Sequence, residues 1–513
     1  MSLPIVNELV SSMTTRIDRG RIKREVRQFF RYVTLSHKWE ENEPLFQQVI
    51  HIEVYDLEHS PTHDKLQMFC KIVRDAGFHW AWSDTCCINK EDNFVLQEAL
   101  VAMFKWYRGS VMTIVYLRGV RSPAMLGDLV KSTWNTRAWT LQEYVAARAI
   151  RFYTEDWTPY LNLDTFNHKE SADIISEMEE ATGVSAQQLI ALRPGLSSIR
   201  EKLRLASMRK TTLVEDAAYS LLGIFSVAGM SAIYGEGENA LGRLLAHILA
   251  GSGDASILAW SGQSGVFNSC LPAHITVFNR PTLSHIPPPI EDAVMDKMIT
   301  ALRTSDLDLD LALKLYDRLN ELPAPWFAAS RMKLPCIAFK LPPLSPTRTA
   351  SGRVYRADTP VFGMVEIKTR QEPSRSTSLY LVHPWLDVLL DREDMETGAF
   401  AEEDVEEASS RGTDDDDDSS DDDDDDAVSL FERDSPSPSP RMETLPMDRE
   451  TRALRLIARL GQPFGALLLS LTSTRRRSVV YKRVAADSVI TVQIQDSVPL
   501  KDVLDNVRIL DVL

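Results

Sequence analysis

Residues 29–39 read Phe29-Phe30-Arg31-Tyr32-Val33-Thr34-Leu35-Ser36-His37-Lys38-Trp39: two aromatics and an arginine, then an apolar, β-branched run that ends in a polar and aromatic turn. The run over 32–36 carries no helical period and predicts a buried strand. Moving outward, residues 66–76 have the spacing of an amphipathic helix. His79-Trp80-Ala81-Trp82-Ser83 and residues 111–117 read as strands, and 94–107 between them reads as a helix. A helix over 136–147 and a fourth strand over 149–153 complete the series. Strand and helix alternating at this spacing predict an α/β unit with an open parallel sheet. Right-handed crossovers should place helices on both of its faces.

The remainder divides by pattern. Residues 1–26 form a lead-in, and 27–160 hold the α/β unit. Residues 161–250 lack strand alternation and read as a helical extension, with helices over 217–226 and 239–249. Residues 251–330 are mixed. Strand-like segments at 336–341, 362–368, 379–382, 466–471, 479–484, 489–494 and 507–513 predict a β-rich C-terminal domain, 331–392 plus 449–513. Residues 393–448 interrupt it with an acidic and Ser-Pro-rich insertion whose composition predicts disorder.

Charge supports this division. The net charge is -16, but residues 402–426 hold sixteen acidic side chains against Arg411 alone, which leaves the rest nearly neutral. No basic surface for nucleic acid is expected. Five scattered cysteines and an N-terminus without an apolar run point to a reducing, cytoplasmic setting. The charge-free stretches 217–235 and 255–279 are broken by Gly, Ser and Pro, so buried helix and loop is expected there and no membrane span.

Three blocks carry a family resemblance: Tyr32-Val33-Thr34-Leu35-Ser36-His37-Lys38-Trp39, Trp80-Ala81-Trp82-Ser83-Asp84-Thr85-Cys86-Cys87-Ile88-Asn89, and Arg137-Ala138-Trp139-Thr140-Leu141-Gln142-Glu143. In this order they resemble the heterokaryon incompatibility (HET) domain family of fungi. Glu215-Asp216-Ala217-Ala218-Tyr219 and Tyr234-Gly235-Glu236-Gly237 resemble the extension that follows many such domains. Glu40 stands where the family usually has Gly, and no Pro precedes Tyr234. The resemblance implies a role in non-self recognition and programmed cell death, exercised through protein partners or self-assembly.

The third block is also similar to TIR domains, a flavodoxin-like class with Trp-Cys-Leu-x-Glu at the same point; Trp139 and Glu143 match its Trp and Glu. That likeness implies NAD as a possible substrate and Glu143 as a candidate catalytic carboxylate stabilising an oxocarbenium-like centre. The structural alternative is that Glu143 pairs with Arg137 or caps a backbone amide. Ligands of open parallel sheets bind beyond the carboxyl ends of the strands, so Ser36, Lys38, Trp39, Asp84 and Trp139 are candidate binding residues. His37 with Cys87 is a further candidate, a Cys–His nucleophilic pair, set against the plain reading of the cysteines as buried small apolar groups. No metal site is expected: Pro61 separates His59 from His63, and no cysteines have zinc spacing. Gly235-x-Gly237-x-x-Ala240 matches a dinucleotide pattern but lacks the preceding strand, and is expected to be a turn into a helix.

Overall fold

A computed structural model describes residues 19–227, 229–279, 290–349, 352–369, 377–384, 448–473, 479–495 and 497–513. Most of the lead-in and nearly all of the acidic insertion lie outside these residues.

After helix α1 (Arg19–Phe29) comes β1 (Tyr32–His37), then α2 (Pro61–Asp75), β2 (Trp80–Trp82), α3 (Asn93–Gly109), β3 (Met112–Leu117), α4 (Trp139–Ala146) and β4 (Ile150–Thr154). The four strands form a parallel sheet in the order β2-β1-β3-β4. Helix starts follow local chemistry. Ser60 caps α2 by accepting the His63 amide at 3.2 Å, with Pro61 in the first turn. Asp92 caps α3 through the amides of Phe94 and Val95.

The pleat of β1 sends successive side chains to opposite faces. Val33 and Leu35 join Leu66, Phe69 and Val73 of α2. Thr34 and Ser36 face the other way, towards α3 and α4. Thr34 shares a 2.8 Å hydrogen bond with Thr113 there, and the Tyr107 hydroxyl donates to Leu35 O at 2.9 Å. Every residue of β3 is buried, as a strand covered on both faces requires.

Beyond the sheet, α5 (Ala172–Thr182), α6 (Ile199–Ser207) and α7 (Asn239–Ser252) build the helical extension. The expected helix over 217–226 is shorter: only Asp216–Tyr219 is helical, and turns come after it. Gly223 in those turns lies so close to α3 that a Cβ would overlap Phe104.

Helices α8 (Asp292–Thr304) and α9 (Leu309–Asn320) precede β5 (Trp326–Ala328), β6 (Arg331–Lys340), β7 (Ser345–Thr349), β8 (Gly352–Thr359), β9 (Gly363–Lys368) and β10 (Leu379–Pro384). Then come α10 (Arg449–Leu460), β11 (Phe464–Ser473), β12 (Val479–Arg483), β13 (Ile490–Val492), α11 (Leu500–Asp505) and β14 (Val507–Val512). Because β10 pairs with both β11 and β6, the path β6-β10-β11-β12-β14 returns to β6 and the sheet closes like a barrel. Closure removes edges that would otherwise invite further strand pairing. The segments on either side of the acidic insertion meet in this one sheet, through β10 and β11. Strands β5, β7 and β8 and helices α8, α9 and α10 were not legible from the pattern. The largest apolar core runs without a break from α3 through α6 and α7 into the barrel, joining Phe104, Leu203, Leu245, Leu334 and Leu468.

Candidate functional site

The carboxyl end of β1, Trp134 and Glu143 of α4 meet around Ser36. Its hydroxyl accepts the Trp134 indole N–H at 2.7 Å and donates to the Glu143 carboxylate. Glu143 is 3% exposed. Burial, reinforced by the nearby charge of Asp84, pushes its pKa up to about 8, although Ser36, Arg137 and Arg209 pull the other way. At neutral pH the group is therefore largely a protonated acid.

The helical extension holds this helix start in place. Arg209 donates to Thr140 Oγ1 at 2.7 Å, to Arg137 O at 2.9 Å and to Asn135 Oδ1 at 3.4 Å. A short backbone seam adds Ala138 N to Lys210 O at 3.1 Å and Lys210 N to Thr136 O at 2.6 Å. Trp139 lies against the Asp216 carboxylate, which accepts from the Tyr234 hydroxyl at 3.0 Å. Neither Arg209 nor Asp216 stood out in the sequence as part of a site. Asp216 lies in the Glu215-Asp216-Ala217-Ala218-Tyr219 stretch, whose family likeness was the signal available, and Arg209 lies shortly before it.

The exposed rim is cationic and aromatic. Trp39, 41% exposed, donates its indole N–H to Asp84 Oδ2 at 2.9 Å. Lys90 Nζ lies 3.7 Å from the centre of its ring and the Arg137 guanidinium 5.7 Å. Arg137 also donates to His37 O at 3.1 Å. The direct partner of Glu143 is thus Ser36, while Arg137 turns to the rim. Ser36, Asp84, Trp39 and Glu143 come together, and Lys38 is exposed beside them.

His37, one residue on from Ser36, points to the opposite face. Its Nε2 lies 3.5 Å from Glu43, which is also paired with buried Lys65. Despite burial, contact with His37 and then the charge of Lys65 hold the Glu43 carboxyl down at about 2. Among the described residues no hydrogen bond joins His37 to Cys87. Among the same residues no group of three or more His, Cys, Asp and Glu could hold a metal ion, and no helix is long and apolar enough to cross a membrane.

The glycine-rich turn is occupied from within. Gly235 and Gly237 have φ of +96° and +60°, the left-handed region that glycine tolerates. Their amides, which could have held a phosphate, bind Glu215 Oε1 at 2.8 and 2.9 Å. The amide of Glu215 itself, then those of Gly237 and Gly235, keep its carboxyl below the usual range.

A four-stranded parallel sheet with a buried acid at the end of its first strand and an aromatic, cationic rim is the framework on which the three sequence blocks converge. Residues 32–127 match the family model described as Heterokaryon incompatibility protein (HET), so the chain carries a HET module over that stretch. It is also similar to the Vegetative incompatibility protein HET-E-1 of Podospora anserina, 32% identical over 228 residues. That match covers 42% of this chain and 16% of the relative, so the chain spans about a sixth of the length of the curated protein it resembles. No solved structure matches it.

Proposed function

We propose that this chain is an effector of vegetative incompatibility, whose HET module triggers cell death signalling when its sheet edge is opened. The observation that carries this reading is the 32% identity over 228 residues with a vegetative incompatibility protein. The geometry favours a module at rest. Glu143 is buried against Ser36, while Trp39 and Lys38 stand on the exposed rim. Opening that rim would admit water, lower the pKa of Glu143 and turn a neutral acid into a carboxylate. In this reading the module works in the cytoplasm and is opened by a protein partner or by self-assembly.

A second reading is favoured by the same acid: a TIR-like NAD glycohydrolase. The strand order β2-β1-β3-β4 supports it, being the first part of a flavodoxin-type order with its switch point between β1 and β3. An ionised Glu143 would stabilise the oxocarbenium-like ribose as nicotinamide leaves. Trp39, between Lys90 and Arg137, offers a ring for stacking and cations for the pyrophosphate.

Inducible expression of the full chain and its Glu143→Gln variant in a fungal host, with viability and NAD followed together, tests both. Death preceded by a Glu143-dependent fall in NAD is the expected result for the glycohydrolase. Death at constant NAD supports a non-enzymatic effector, and unimpaired growth on wild-type expression would sink the proposal.

A further inference from the structure

We propose that Cys87 is a site of reversible oxidation by peroxides, with Cys86 as the resolving thiol, and that the oxidised loop loosens the grip of Asp84 on Trp39. Three thiols gather where the loop after β2 meets α2: Cys87 is exposed, Cys86 is buried at 6%, and Cys70 on α2 is intermediate. Cys87 Sγ accepts the Ser83 backbone N–H at 3.4 Å within a turn closed by Cys87 N to Ser83 O at 2.9 Å. The Cys86 thiol lies beside it, in the apolar cluster against which Cys70 packs.

These contacts stabilise a thiolate at Cys87 and a thiol at its neighbours. Contact with the Cys86 thiol, then the hydrogen bond from the Ser83 amide, holds the Cys87 thiol below its ordinary value. The same contact, with burial, pushes Cys86 well up, and burial lifts Cys70 to about 11. Cys270 and Cys336 are fully buried and carry no such role. Accessible nucleophile, adjacent thiol and inert remainder together define a selective target.

The chemistry balances with hydrogen peroxide as oxidant. The Cys87 thiolate attacks one peroxide oxygen, the O–O bond breaks, and hydroxide leaves with a sulfenic acid on sulfur. The Cys86 thiol, losing its proton, then attacks the Cys87 sulfur; the S–O bond breaks, water leaves, and a disulfide joins the two residues. Adjacent Cα atoms are about 3.8 Å apart across a trans peptide, less than the roughly 4.4–6.8 Å a relaxed disulfide spans. The 86–87 peptide must therefore twist, and thiols should reverse the bond readily. Asp84, which holds Trp39, and Thr85, whose carbonyl accepts Lys90 Nζ at 3.3 Å, lie within three residues of Cys87 and move with it.

The test treats the purified full chain with hydrogen peroxide at pH 7, followed by dimedone trapping, peptide mapping and tryptophan fluorescence. Cys87 is expected to react at least about tenfold faster than glutathione. Two free thiols should disappear and return with dithiothreitol, and Cys86→Ser should accumulate dimedone-labelled Cys87. The oxidised protein should show a fluorescence change that Trp39→Phe abolishes. Reaction no faster than glutathione, or a disulfide that uses Cys70 instead, would overturn the assignment of the two sulfurs. A fluorescence change retained in Trp39→Phe would overturn the link to the rim.

Discussion

Glu143 is the side chain with most to reveal about the rim, because its proton is held by burial. Its folded pKa of about 8 lies above the ordinary carboxylate value, so the folded state binds that proton more tightly than the unfolded chain. The stability this contributes is fully present below about pH 4.5 and is lost as pH rises through about 8. Glu143→Gln, which cannot ionise, should not show this loss. Thermal melting from pH 4 to 9 should give a variant that gains on wild type across that window; parallel curves would show that Glu143 is not held protonated. Ser36→Ala removes one hydroxyl that serves both Trp134 and Glu143. Leaving those buried groups unsatisfied should cost about 1–3 kcal/mol in urea unfolding. The blocks at 32–39, 80–89 and 137–143 pointed to Ser36, Trp39, Asp84 and Glu143. Which of them touch, and that His37 turns to Glu43 and Lys65, depended on the direction of the β1 pleat.

At the scale of elements, α4 is short and its start is pinned by the extension as much as by the sheet. Arg209→Ala deletes three hydrogen bonds around residues 135–140 and should destabilise the fold by about 2–4 kcal/mol, read from the shift of the denaturation midpoint. Arg209→Lys should restore only part of this, since an ammonium lacks the planar fork that reaches three acceptors. Gly223→Ala tests the close approach of the 220–226 turns to α3. Its Cβ would overlap Phe104, so a loss of about 1–3 kcal/mol is expected, and a neutral result would mean the turn can move away.

At the scale of the molecule, the sheet does not own its core. Leu100, Met103, Phe104, Tyr107 and Leu141 of the α/β unit share one cluster with the extension and the barrel. A fragment of residues 19–160 would expose that face, and residues 199–210 would be missing from the site. It is expected to aggregate or to lack near-ultraviolet circular dichroism while keeping helical signal. A fragment with a sharp, cooperative melt would show the module to be self-sufficient.

By itself the sequence determined the parallel α/β unit, the helical character of the extension, the β-rich end and the likeness of residues 32–127 to the HET module, because hydrophobic period and short motifs are local. Only the tertiary structure decided that the barrel closes, that Glu215 fills the glycine turn, and that Arg209 and Asp216 reach back from the extension to the α4 helix. Those contacts join residues as distant in the chain as Met332 and Val512, a separation over which no periodicity carries information. The proton on Glu143 was decided there too, since desolvation belongs to the packed surroundings of a side chain and not to its neighbours in sequence.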